Sequence, residues 1–240
     1  MDSVDHVRPR PRPAPVPVPG PARRRRWRHA TAAAVAGLAA TAIACIPAPV
    51  TKPEPTPGSV DVAGDSLTIQ AFYRYGLGLG APTDVNVIAY LGWEVGDVQG
   101  PVAADVAAGR PEFLVVALAT NDANPVDGGG WTGADVDAFR NLFNTPHPSA
   151  CVVVVLPGWG AGVSSAWRTE LVESRGGLSL LAAQRGGRTV TVDWLAVVQA
   201  HPEYLGPDGI HLRQEGDVVD PQAANARAQL YWSGVAACPA

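Results

Sequence analysis

The sequence predicts an α/β fold: a five-stranded parallel sheet with helices on both faces. Two patterns and one total point to it. Apolar, largely β-branched runs recur at Val60–Ala63, Val85–Tyr90 (VNVIAY), Phe113–Ala119 (FLVVALA), Cys151–Leu156 (CVVVVL) and Thr189–Val192 (TVTV). Continuous runs of this kind mark strands buried on both faces. Helical stretches alternate with them near residues 67–77, 94–108, 132–144, 164–184 and 221–236. That alternation implies βαβ crossovers and a parallel sheet. The last helix opens at Pro221, whose fixed φ and missing N–H suit a first turn. The 240-residue chain is 47% hydrophobic, enough to bury a core, and its length suits one domain with extras.

Charge divides the chain. Residues 1–28 carry eight Arg against Asp2 and Asp5, a balance of +6, in a Pro/Arg-rich tail that cannot hold helix or central strand. Residues 29–46 contain the uncharged run ATAAAVAGLAATAIACI, read as a signal peptide or signal anchor with the Arg cluster on its cytoplasmic side. Ala42-Ile43-Ala44 is an A-x-A cleavage site, and AIAC loosely matches a lipobox in which Cys45 would be lipidated. Residues 47–58 (PAPVTKPEPTPG) form a Pro-rich linker, and 59–240 the folded body. That body holds nine Arg and no Lys against nineteen acidic residues, so nucleic acid is excluded as a partner. The expectation is a protein secreted or anchored on the outer face of the cytoplasmic membrane, touching membrane only through its N-terminal segment.

In an open parallel sheet the site lies outside the carboxyl ends of the strands. The first strand ends in Gly64-Asp65-Ser66-Leu67-Thr68, the third in Ala119-Thr120-Asn121-Asp122, and a turn after the fifth reads Gly206-Pro207-Asp208-Gly209-Ile210-His211. A Ser, an Asn and an Asp-x-x-His thus fall at one edge. Each alone has a structural reading: a helix cap for Ser66 and Asn121-Asp122, a turn for Asp208-Gly209. Together they carry acyl-transfer chemistry. A serine hydroxyl needs a base to become a nucleophile at neutral pH, and a base needs an orienting carboxylate.

Quoted in order, GDSL at 64–67, ATND at 119–122 and DGIH at 208–211 resemble the motif blocks of the SGNH (GDSL) hydrolase family over about 150 residues. The Arg-, Ala- and Gly-rich composition gives the chain the style of an exported actinobacterial member. The resemblance implies a flavodoxin-like three-layer sandwich and a serine ester hydrolase in which Ser66 is the nucleophile, His211 the base and Asp208 its orienter. It also implies an oxyanion hole from the Ser66 and Gly92 N–H groups and the Asn121 amide. The family's glycine after the second strand is assigned to Gly92, with Gly96 as competitor. Ala119 departs from the family's GxND, adding a methyl where glycine is usual. The G-x-S-x-G elbow of α/β-hydrolases is absent.

The expected activity is hydrolysis of carboxylic esters, short-acyl in an open cleft, by a monomer acting on a small-molecule or glycan ester. The alternatives are acyl transfer to cell-surface glycans with the same residues, or a weakly active surface binding module. No cofactor and no metal are implied, since the acidic residues do not fall at metal-ligand spacing. Gly76-Leu77-Gly78-Leu79-Gly80 reads as a flexible loop, because it neither follows a strand directly nor opens a helix. Trp93, Trp131 and Trp159 are candidates for lining a cleft, with packing the commoner role of tryptophan. A disulfide between Cys151 and Cys238 is expected. Cys151 opens a strand at the edge opposite the site, and a helix over 221–236 spans roughly 24 Å, enough to bring Cys238 back to it.

Overall fold

The computed structural model describes residues 52–72, 80–126 and 129–239. The tail, the export segment with Cys45 and residues 47–51 of the linker lie outside the described residues. So do residues 73–79, with most of the glycine-alternating loop, and Asp127-Gly128.

Five strands form the sheet: β1 (Ser59–Gly64), β2 (Asp84–Ala89), β3 (Phe113–Ala117), β4 (Cys151–Leu156) and β5 (Thr189–Asp193). They lie in the order β2-β1-β3-β4-β5, every pair parallel. The helices between and after them are α1 (Ser66–Phe72), α2 (Val95–Ala107), α3 (Gly133–Asn144), α4 (Ser165–Arg185), α5 (Trp194–Ala200) and α6 (Pro221–Ala236). The predicted flavodoxin-like architecture is the one observed.

Side chains alternate across each strand, so a continuous apolar run feeds two cores. Leu114, Val116, Val152 and Val154 share one core with Val98 and Val102 of α2, Phe139 of α3 and Leu178 of α4. Val115, Val153 and Val155 share the other with Leu67 of α1, Trp194 of α5 and Tyr231 of α6. Each buried Val, Leu or Phe contributes roughly 1.5–3 kcal/mol, which is why β3 and β4, sheathed on both sides, anchor the layers. Helix starts are capped locally. Thr132 accepts from the Asp135 N–H while Asp135 accepts from the Thr132 N–H, and Asp220 accepts from the N–H groups of Gln222 and Ala223.

The structure adds elements beyond the predicted ones. α5 follows β5 with no intervening turn residue, and seven residues are too few for a 3.6-residue period to stand out from the strand before it. Two-residue strands β6 (Gln214–Glu215) and β7 (Val218–Val219) pair antiparallel around Gly216, below the length at which alternation can be read. The disulfide is as expected. Cys151 and Cys238 are bonded with Cα atoms 6.2 Å apart, closing a separation of 87 residues between the first residue of β4 and the end of α6.

A buried carboxylate interrupts the apolar run of β1. Asp61 is 0% exposed, and it accepts from Arg110 Nε at 3.2 Å while its second oxygen has no donor among the described residues. Arg110 is shared, its Nη1 reaching both oxygens of Asp84 at 2.8 and 2.7 Å. Burial first, and the neighbouring Asp105 second, push the Asp61 carboxyl up to about 6 against the pull of Arg110.

Two expectations follow from this fold. A carboxyl whose folded value lies above its unfolded value stabilises the fold fully below about pH 4 and loses that contribution as pH rises through about 6. Stability in urea should therefore fall between about pH 4 and 6.5, and Asp61→Asn should flatten the decline by about 2–3 kcal/mol. An unchanged slope would show that Asp61 ionises freely. Separately, Cys238→Ala should cost between roughly 2 and 5 kcal/mol, because a loop of this length is held closed in the unfolded chain. Thiol titration of the oxidised protein should find no free thiol at Cys151 or Cys238.

Candidate active site

The strand order reverses at β1, with β2 on one side and β3 on the other. Register places the ends of all three together: Gly64 pairs with Ala89 on one side and Ala117 on the other. The chain therefore leaves the sheet at Asp65-Ser66, at Tyr90-Leu91-Gly92 and at Leu118–Asp122 along one short stretch of edge.

Ser66 is the first residue of α1 and is 8% exposed. It is held there by a local knot. Asp65 Oδ1 accepts from the Leu67 N–H at 3.0 Å, and the Asp65 carbonyl accepts from Thr68 and Ile69. Gly64 is required by close approach: a Cβ built there would overlap the Thr68 hydroxyl. Thr68 in turn is fixed by the Tyr231 hydroxyl of α6 at 3.1 Å.

Ser66 Oγ lies 3.1 Å from His211 Nε2, across 145 residues of chain. His211 Nδ1 lies 2.7 Å from Asp208 Oδ2. Nδ1 therefore carries the proton toward Asp208, and Nε2 is left as acceptor for the serine hydroxyl. The Asp208 turn is braced by its own backbone: Asp208 Oδ1 accepts from Ile210 N–H at 2.9 Å and His211 N–H at 3.0 Å. Burial opposes ionisation of Asp208. The Ile210 N–H, the His211 ring and the His211 N–H outweigh it together and hold the carboxyl below its usual range. Outside contacts lock the turn in place. Gly160 N–H donates to the Gly209 carbonyl at 2.7 Å, and Leu212 N–H donates to Gln70 Oε1 of α1 at 3.0 Å. Gln70 thus ties the serine helix directly to the histidine turn.

Gly92 lies exposed in the loop between β2 and α2 with φ +76°, a conformation that favours glycine, whereas Gly96 lies inside α2. Asn121 donates from Nδ2 to the Trp93 carbonyl at 2.9 Å, which places its amide against the Gly92 loop and leaves its second N–H hydrogen for another acceptor. Asp122 does not cap the helix that follows it. Its Oδ1 accepts from Val95 N–H at the start of α2 and its Oδ2 from Ala119 N–H, stapling the Asn121 turn to α2. Burial pushes this carboxyl up to about 7.

The tryptophans divide. Trp131 packs on Phe139 at 5.5 Å, and Trp159 lies under the Arg175 guanidinium at 5.9 Å. Trp93 stands beside the Asn121 amide, tilted against the exposed Tyr90 at 5.9 Å, and Trp159 also packs on the cluster that holds Ile210 of the histidine turn. A recess of about 240 Å³ opens next to His211, lined by Gly206, Pro207, Asp208, Leu212 and Gln214. Among the described residues no cluster of His, Cys, Asp and Glu could hold a metal ion. Gln70, Tyr231 and Asp122 were not legible as site residues in the sequence, because each acts through a partner remote in the chain.

No protein-family model matches the sequence, and no curated protein matches it. Solved structures do. The C-terminal catalytic domain of a Streptococcus pneumoniae peptidoglycan O-acetyltransferase, carrying a methylsulfonyl adduct, superposes with TM-score 0.54 at 18% identity, over 77% of this chain and 92% of that one. A GDSL-like lipase from Parabacteroides merdae gives 0.57 at 17%, over 78% and 99%. A catalytic mutant of an acetylxylan esterase from Geobacillus stearothermophilus gives 0.57 at 15%, over 75% and 95%. The chain shares the fold of these proteins.

Ala119 is where the sequence departs from a glycine, and the structure shows the consequence. It is fully buried at φ +82°, in the left-handed region. That conformation costs an L-residue about 1–2 kcal/mol. Ala119→Gly would relieve it but lose a buried methyl, about 0.8 kcal/mol, and about 0.5–1 kcal/mol of chain entropy. The balance predicts a stability change within about 1 kcal/mol for Ala119→Gly. Ala119→Val, branched and overpacked, should lose at least about 2 kcal/mol. Thermal and urea unfolding of both variants checks the pair.

Proposed function

We propose that the protein is an exported serine esterase that cleaves short-acyl carboxylic esters through an acyl-enzyme on Ser66. The observation that carries this is the continuous relay Ser66 Oγ–His211 Nε2–His211 Nδ1–Asp208 at 3.1 and 2.7 Å, standing at the carboxyl edge of a parallel sheet.

Each group has one task. Ser66 Oγ attacks the ester carbonyl carbon as its proton passes to His211 Nε2. Asp208, held ionised, stabilises the imidazolium and keeps Nδ1 aligned. The oxyanion is met by the N–H groups of Ser66 and Gly92 and by the second Asn121 N–H hydrogen. Such donors matter because they are already in place when charge develops, each contributing about 10²–10³ in rate. His211 then returns the proton to the departing alkoxide, leaving the acyl group on Ser66. Water, deprotonated by the same imidazole, releases the acid. The His211 and Asp208 side chains stand half-exposed at an open edge, which favours short acyl groups over long chains that need an enclosing groove.

A second reading differs in the last step only: a sugar hydroxyl takes the acyl group in place of water. The extended match to a peptidoglycan O-acetyltransferase domain favours keeping it. Export is supported by the Cys151–Cys238 bond, which persists in oxidising compartments, and by the Arg-flanked apolar segment at 29–46.

Turnover of p-nitrophenyl acetate, with a burst as the first acyl group is loaded, should be seen for the wild type. Ser66→Ala and His211→Ala should each lower it by more than about 10³-fold, Asp208→Asn by less, and combinations should cost little more than the worst single change. Retention of more than a few per cent by Ser66→Ala would overturn the mechanism, and absence of any turnover would leave a binding module. Adding an oligosaccharide acceptor and weighing the products separates hydrolysis from transfer.

A further inference from the structure

The Gly92 and Asn121 donors stand on two loops that leave different strands, β2 and β3. Asp122, 2% exposed, is bonded to both loops. Its Oδ1 accepts from the Val95 N–H at 2.9 Å, at the first residue of α2 and three residues beyond Gly92. Its Oδ2 accepts from the Ala119 N–H at 3.1 Å, at the start of the turn that carries Asn121. A second bridge joins the same loops, since Asn121 Nδ2 donates to the Trp93 carbonyl at 2.9 Å. That bridge ends on the donor amide itself. The Asp122 bridge is independent of it.

The residue type fits this task. Capping one turn needs a single acceptor, which a serine or an asparagine supplies. Two N–H groups converging from two segments need two acceptors on one side chain, and an ionised carboxylate offers them with no donor of its own. Burying a carboxylate is unfavourable unless hydrogen bonds replace its water. Burial is the leading influence that raises Asp122, and the Val95 N–H is the leading one that opposes it.

We propose that Asp122 is a positioning residue for the oxyanion hole, holding the Gly92 loop and the Asn121 turn at the separation where their donors meet one developing charge. It acts on those loops and not on the Ser66–His211–Asp208 relay. Oxyanion donors are effective because they are in place before the charge appears. With the bridge cut, the loops can drift apart, and a misplacement of about 1 Å can cost about 10²-fold. The hole serves acylation and deacylation alike. Both steps therefore slow together, so kcat falls while KM stays.

This inference rests on the esterase reading, and the test keeps the two apart. Steady-state kcat and KM for p-nitrophenyl acetate are measured on wild type, Asp122→Asn and Val95→Pro, and on both changes in an Asn121→Ala background. Asp122→Asn keeps the shape and loses one acceptor. Val95→Pro removes the same bond from the donor side, at a first helical position that proline suits. Each should lower kcat about 10–100-fold with KM within about twofold, as loss of alignment and not of binding. In the Asn121→Ala background each should cost several-fold less, because one of the two donors it aims is already gone. A kcat within about twofold of wild type, or an undiminished loss in the Asn121→Ala background, would overturn the positioning role while leaving the esterase intact. Should either variant fail to fold, as judged by circular dichroism, the other decides. A wild type without ester turnover overturns both readings.

Discussion

The parallel pairing of β1 with β2 on one side and β3 on the other is the constraint on which the site depends. Because Gly64 is in register with both Ala89 and Ala117, three chain segments must leave the sheet at one place. They are the segments that carry Ser66, Gly92 and Asn121. A one-residue slip in either pairing would turn every side chain of a strand to the opposite face and destroy both cores. The packing of Val, Leu and Phe on the two faces therefore sets the geometry of a polar site to which those residues contribute no atom.

The remaining member of the relay arrives differently. His211 stands on a turn after the last strand, and its position depends on hydrogen bonds from outside that turn. The loop after β4 contributes Gly160, α1 contributes Gln70, and the turn's own N–H groups hold Asp208. Short-range contacts shape Asp208 and His211 into an oriented pair, and long-range contacts deliver that pair to Ser66. The disulfide acts on the same assembly from the far end, tying the tail of α6 to the first residue of β4.

Buried carboxylates recur wherever this architecture needs alignment. Asp65 underlies the serine turn, and Asp122 staples the Asn121 turn to α2. Burial raises both above the ordinary carboxylate range. Asp122 offers both oxygens to backbone N–H groups of two different segments, an exchange of solvation for geometry that an apolar side chain cannot make. The left-handed Ala119 beside it belongs to the same economy: local strain is accepted where the surrounding core leaves the backbone no alternative.

Local pattern determined much of this protein. Uninterrupted β-branched runs such as CVVVVL could only be strands covered on both faces, and their alternation with helical stretches made the sheet parallel. GDSL, ATND and DGIH then fell at strand ends, so Ser66, Asn121, Asp208 and His211 were legible as candidates, as was the Cys151–Cys238 bond from helix length and direction. Gly92 was legible only as one of two glycines, until the fold placed Gly96 inside α2. What the tertiary structure alone decided is the set of partners: Gln70 for the Leu212 N–H, Tyr231 for Thr68, Asp122 for Val95 and Trp194 for Arg227. These residues have no local signature, because a Gln or an Arg on a helix reads as a solvated side chain until another element buries it. Helix α5 escaped for a related reason, since seven residues directly after a strand show no period of their own. Periodicity and turn chemistry act between near neighbours in the chain; the contacts that bring the Ser66 hydroxyl to the His211 ring across 145 residues exist only once the sheet has formed.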